Sequence, residues 1–338
     1  MSNYVDKISC FNFFRAVASI GIGLSHYYLS NIYIFYNKYF SIYGVFLAMF
    51  FFTTGYLIPM SLERCNWKQF AVKRFFRLFP VLFISVIFSV LLFLLFNLAP
   101  YYGKAKVNIL NISSTMFIVN DIKWFIQDLI YGKHIKDNLV FSSWSMQVEI
   151  KYYIIATICF VLCKNRRKSF MALILVALFL SLSCLYKPLR VDFTFGYCCM
   201  LIFCILIGHS LYLMQKNIIS KKEFIILFII FNMFHADFEM KTYTGYVIGN
   251  LICCYFVIKK PNIGNNKIVE FFANCSYSFY LLHYLLMSSV LNSFQLTLKN
   301  NFLRVLILVC LIPFCHLIYK YIEKPMYDYG RRLASRIK

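Results

Sequence analysis

Ten apolar stretches, each about 16 to 24 residues and able to cross a bilayer core, succeed one another along the whole chain. They lie near 10–29, 43–62, 78–98, 143–163, 169–186, 193–214, 223–238, 242–258, 271–295 and 302–319. A backbone in lipid has no water to bond, so it must satisfy its own polar groups, and such segments fold as helices. The expected fold is therefore all-α: a polytopic membrane bundle of about ten transmembrane helices in one domain over residues 1–338. A mean hydropathy of +0.68 excludes an ordinary soluble globule. The seventh and eighth stretches are short and separated only by His235 to Lys241, so one of them is expected to be tilted or broken.

The net charge of +22 invites a nucleic-acid reading, but its distribution argues against one. With the amino terminus in the cytoplasm, 22 of the 35 basic residues fall in the even-numbered loops and the two tails, against 11 on the other side. This is the positive-inside pattern, and it predicts that both termini are cytoplasmic. The long segment 99–142 then faces the exterior. It carries Asp121, Trp124, Phe125, Asp128, Tyr131 and His134, either an interfacial aromatic helix or a surface for sugar hydroxyls. The start, MSNYVDKISC, has no basic region leading into a short apolar core, so no cleavable signal is expected. The tail after Lys320 is too small for an appended soluble catalytic domain, which leaves any chemistry to the bundle.

Thirteen cysteines lie mostly within the apolar stretches, without CxxC spacing, and read as small hydrophobes. The six histidines form no HExxH or i, i+4 pair, and no Walker loop, GxGxxG or GxSxG elbow is present. Neither a metal nor a bound cofactor is expected.

Ionisable residues in or beside lipid are expensive, so their placement carries information. Arg15 and His26 are eleven residues apart, which on a helix puts them on one face roughly 16 Å apart. Arg74 and Arg77 are an i, i+3 pair and share a helix face. Together they suggest a bundle that handles an anionic ligand.

Five blocks in order along the chain resemble one family. FFRAVASIGIGLSHY contains the Arg15–His26 spacing; KRFFRLFP contains Arg74 and Arg77; SSWSMQVEIKYY supplies Trp144, Ser145 and Glu149. SYSFYLLHY (Ser276 to Tyr284) and YIEKPMYDYGRR (Tyr321 to Arg332) follow near the end. The set resembles the membrane acyltransferase-3 family of bacterial glycan O-acyltransferases. One block departs from the pattern: YGVFLAMFFFTTGYLI has no acid after Gly44–Val45, and Thr54 stands where serine is usual before Gly55.

The resemblance implies an O-acyltransferase of the bacterial inner membrane that moves an acyl group, acetyl first among candidates, from cytoplasmic acyl-CoA to a hydroxyl of a cell-surface or lipid-linked glycan. The residues fit that chemistry. A histidine is a suitable general base for a hydroxyl, and a carboxylate can fix its tautomer, which casts His26 and Glu149 as catalytic. Arg74 and Arg77, with Arg15 further along, suit a polyanionic acyl-CoA, because guanidinium forks bind phosphate bidentately. His283 and Trp144 are candidates for acceptor contact or support. The expected partners are acyl-CoA as cosubstrate, the glycan and membrane lipid. Two other readings stand beside this one: a transporter of a glycan or lipid-linked sugar, and an acyltransferase with a lipid acceptor.

Overall fold

The computed structural model describes residues 2–27, 40–96, 112, 115, 116, 140, 142, 144–185, 193–234, 240–259, 262–293 and 301–337. Every extended element among them is helical. The helices are α1 (Ser2–Tyr27), α2 (Ile42–Leu62), α3 (Trp67–Phe96), α4 (Trp144–Leu162), α5 (Arg166–Leu185) and α6 (Phe193–Gln215), then α7 (Lys221–Met233), α8 (Met240–Lys259), α9 (Lys267–Ser293), α10 (Asn301–Ile318) and α11 (Lys324–Arg336). A 3-10 turn at Asn262–Asn265 precedes α9, and a π-helical turn at Tyr319–Glu323 joins α10 to α11. Each apolar stretch overlaps one of α1 to α10. Among the described residues four segments are long and apolar enough to cross a membrane: Ile42–Leu62, Trp67–Leu94, Ser145–Leu162 and Val305–Arg336. Most of segment 99–142, including its aromatic and acidic residues, lies outside the described residues.

The short seventh stretch has a local explanation. Ser220 and Glu223 form a capping box that starts α7 abruptly, and its 13 residues end at Met233. At 1.5 Å per residue that helix reaches about 20 Å, short of a hydrocarbon core of about 30 Å. Its exposed Ile225, Ile226, Ile229 and Ile230 form an apolar face of the kind lipid covers.

The chain divides into two compact units. The first contains Met1–Ser25, Leu29–Phe70 and Val148–Ala273. Here α6 is buried all round over Leu201–Leu213, and α2 is nearly so. Apolar side chains gain little from one another in lipid, so membrane helices associate through close packing at small residues. A Cβ on Gly55 would strike the Ile205 carbonyl, and one on Gly208 would strike that of Phe52. Gly245 and Gly249, a GxxxG pair on α8, lie against the backbone near Ser41 and Val45 in the same way. The α2 backbone is thus clasped by α6 and α8, which holds its polar residues at defined positions. At one end of this unit Glu63 accepts from Tyr212 (2.6 Å) and pairs with Arg166 (3.0 Å), while Arg167 pairs with Glu223.

The second unit contains His26–Tyr28, Ala71–Gln147 and Asn274–Lys338. Its helices α3, α9 and α10 are joined by Tyr277 Oη donating to the Leu78 carbonyl (2.7 Å) and by Phe88 against Phe314 (5.7 Å between centroids). The π-turn brings Glu323 into the interior, where it accepts from Ser278 Oγ at 3.0 Å. Such turns insert one residue into the helical ladder and re-aim the side chains around it. α11 is amphipathic: Gly330 and Ala334 are buried, Gly330 directly against Phe76, whereas Lys324, Arg331, Arg332 and Arg336 are exposed. That pattern suits a helix lying at a membrane surface.

Candidate functional site

In the second unit the last turn of α1 meets α9. The His26 ring stacks on that of His283, with centroids 5.5 Å apart and planes 27° apart, and Tyr284 closes edge-on at 5.3 Å. His283 is 1% exposed, and its Nδ1 lies 2.8 Å from the Tyr280 carbonyl. A carbonyl only accepts, so Nδ1 carries the proton, and in the neutral ring the lone pair is on the buried Nε2. One histidine therefore has its tautomer set by the backbone of its own helix, without a carboxylate.

Arg74 and Arg77 occupy the same unit, both half-buried on α3. They precede Leu78, whose carbonyl receives Tyr277, and Pro80 follows within the helix. Proline cannot donate to the Phe76 carbonyl, so the α3 backbone is weakest just past the arginine pair. The two guanidinium groups, with Phe76 packed between α3 and Tyr329 of α11, lie on a helix that α9 and α11 both support.

Glu149 belongs to the first unit and has its own setting. It is 5% exposed; Oε1 accepts from Thr54 Oγ1 at 2.5 Å and Oε2 from Tyr153 Oη at 2.8 Å. Both carboxylate oxygens are thus held by hydroxyls, one from α2 and one a helical turn further along α4. Tyr153 in turn packs against Phe70. Arg15 is half-buried on α1 in this unit. α4 begins at Trp144, whose side chain lies outside the described residues. A second buried histidine here, His209, meets Tyr152 Oη at 2.9 Å and the Phe170 ring, a packing arrangement that needs no ligand.

The structure thus joins His26 with His283 in the unit that holds Arg74 and Arg77, and gives Glu149 the partners Thr54 and Tyr153 within the other. Sequence reading passed over three residues. Tyr153 stands i+4 from Glu149, a spacing that brings side chains together on a helix. Gln147 is a polar residue within an apolar stretch. Tyr277 carries no local signal, because its partner Leu78 is distant in sequence.

A half-buried arginine pair and a stacked histidine pair inside one helical unit describe a membrane protein with reactive groups beneath its surface. Comparison with protein families gives that class a name: a family model described as an acyltransferase domain matches residues 8–320. The chain belongs to the acyltransferase-3 family, and it is a membrane acyltransferase. Searches of curated proteins and of solved structures each found no match.

Proposed function

We propose that the protein is an O-acyltransferase of the bacterial inner membrane, with ten spans and both termini in the cytoplasm, that transfers an acetyl group from acetyl-CoA to a hydroxyl of a lipid-linked or cell-surface glycan. The observation that carries this reading is the stacked His26–His283 pair in the unit that also holds Arg74 and Arg77. The arginines bind the phosphates of the donor as it arrives from the cytoplasm. The acceptor hydroxyl gives its proton to an imidazole nitrogen of the pair, His26 being the base and His283 its support. The hydroxyl oxygen attacks the thioester carbonyl, the C–S bond breaks, and the departing CoA thiolate takes up the proton. Glu149, fixed by its two hydroxyl donors, holds the acceptor or the base, Trp144 stacks on the sugar, and Arg15 steadies the donor.

The test uses purified protein in nanodiscs with radiolabelled acetyl-CoA, reading binding and label transfer to lipid-linked glycans. Arg74→Ala/Arg77→Ala should lose binding, and His26→Ala should keep binding and lose transfer. Wild-type protein that is folded yet binds neither acetyl-CoA nor succinyl-CoA would overturn the reading.

A further inference from the structure

Gln147 sits in the first turn of α4 with 2% of its surface exposed, and neither its amide nitrogen nor its amide oxygen has a hydrogen-bond partner among the described residues. Buried side-chain amides are nearly always bonded, so a donor and an acceptor left open side by side call for a partner from outside the chain.

Neighbouring contacts fix its height in the second unit. Ser142 Oγ donates to the Leu281 carbonyl (3.2 Å), and Tyr277 Oη lies 3.3 Å from Met146 Sδ. As the α4 side advances from 142 to 146, the α9 side recedes from 281 to 277, so the two run antiparallel. Gln147, one residue past Met146, stands at the level of Tyr277. The same tyrosine reaches Leu78 of α3, one residue beyond Arg77 and four beyond Arg74. In the topology proposed above α3 and α9 run parallel. At 1.5 Å per residue, Arg74 then lies about 6 Å to one side of the Gln147 level and His283 about 9 Å to the other. Along the helices Arg77 then lies about 10 Å and Arg74 about 15 Å from the His283 level, with the open amide between Arg74 and the histidines.

That separation is of the order of the phosphopantetheine arm, which joins the phosphates of coenzyme A to its thioester and carries two secondary amides. Each arm amide entering a dry bundle needs a donor for its carbonyl and an acceptor for its N–H. A glutamine side chain offers both. We infer that Gln147 is a positioning residue that hydrogen-bonds an amide of the pantetheine arm and so sets how far the thioester advances towards His26 and His283. This rests on the acyl-CoA reading.

The test compares two probes on protein in nanodiscs: coenzyme A, and adenosine 3′,5′-bisphosphate, which lacks the arm. Gln147→Leu should weaken coenzyme A binding roughly tenfold, the loss expected when bonds to a buried amide are removed. It should leave adenosine 3′,5′-bisphosphate binding unchanged and the melting temperature no lower. Gln147→Met, similar in length, serves if the leucine variant does not fold. Arg74→Ala/Arg77→Ala should weaken both probes. Equal coenzyme A affinity in wild type and variant, or equal weakening of both probes, would overturn the assignment of Gln147 while leaving the donor intact. Wild-type protein that binds no coenzyme A would instead remove the donor reading, and the role of Gln147 with it.

Discussion

Thr54→Val removes one hydroxyl from the α2 helix and preserves its shape, which makes it a direct measure of what holds Glu149. The threonine is 9% exposed and the glutamate 5%, and the bond between them is 2.5 Å long. Two estimates compete for its worth. Hydrogen bonds between membrane helices average about 0.6 kcal/mol, because the unfolded chain in the membrane also finds partners. Hydrogen bonds to a charged group contribute about 1.5–3 kcal/mol, and a buried acceptor left open loses its full solvation. Glu149 accepts from hydroxyls at both oxygens, the arrangement of an acceptor-only carboxylate, so the larger estimate applies.

Thr54→Val should therefore destabilise the protein by about 1.5–3 kcal/mol. Thr54→Ser, which keeps the hydroxyl, should stay within about 0.5 kcal/mol of wild type, the usual limit for a change that breaks no specific interaction. A cycle that adds Glu149→Gln should show a coupling of the same order as the single loss. Reversible unfolding in mixed micelles, titrated with a denaturing detergent, reads all three. A cost for Thr54→Val at or below about 0.6 kcal/mol would refute the reasoning, since the bond would then be an ordinary interhelical one. Equal damage from serine and valine would refute it too, because the hydroxyl would be irrelevant.

Three further outcomes follow from the packing and the site. Gly55→Ala should cost about 1–3 kcal/mol or more in the same unfolding assay, because its methyl group meets the Ile205 backbone carbonyl and forces α2 and α6 apart. His26→Asn should lower acyl transfer by roughly 10²- to 10⁴-fold, the range for losing a general base, and His283→Asn by less, while coenzyme A binding measured by filtration is retained in both. Ser142→Ala should cost only about 0.5–1.5 kcal/mol in a thermal melt, since its bond to Leu281 is one neutral side chain to backbone contact.

Helices α1 to α10 were legible in the sequence because their apolar stretches are continuous, whereas the charged, amphipathic α11 carries no such stretch. Family membership was legible for a different reason, five short blocks in fixed order; the match over residues 8–320 bears out the family and spans the first four of them. What periodicity could not supply were contacts between helices. Glu149 and Thr54 are 95 residues apart, and nothing in either local segment selects the other. The closest signal was in the small residues. Gly44, Gly55, Gly208, Gly245 and Gly249 mark where backbones meet, and that close approach brings α2 within the cluster of buried helices. His26 and His283 could each be singled out as an ionisable residue in a hydrophobic setting, but stacking depends on where α1 ends against α9.

The departure in the second helix also has a structural account. Phe46 follows Gly44–Val45 where the resembling pattern has an acid, and its ring packs against Gly21 of α1, where any side chain would collide with it. The ring fills the space that Gly21 leaves, so an acid at 46 alone would put a carboxylate in a space shaped for a ring. Glu149 remains as a buried carboxylate of that unit, and it is held by two neutral hydroxyls rather than by a cation. The buried acid of this unit thus stands on α4, and α2 meets it through the Thr54 hydroxyl rather than through an acid of its own at position 46.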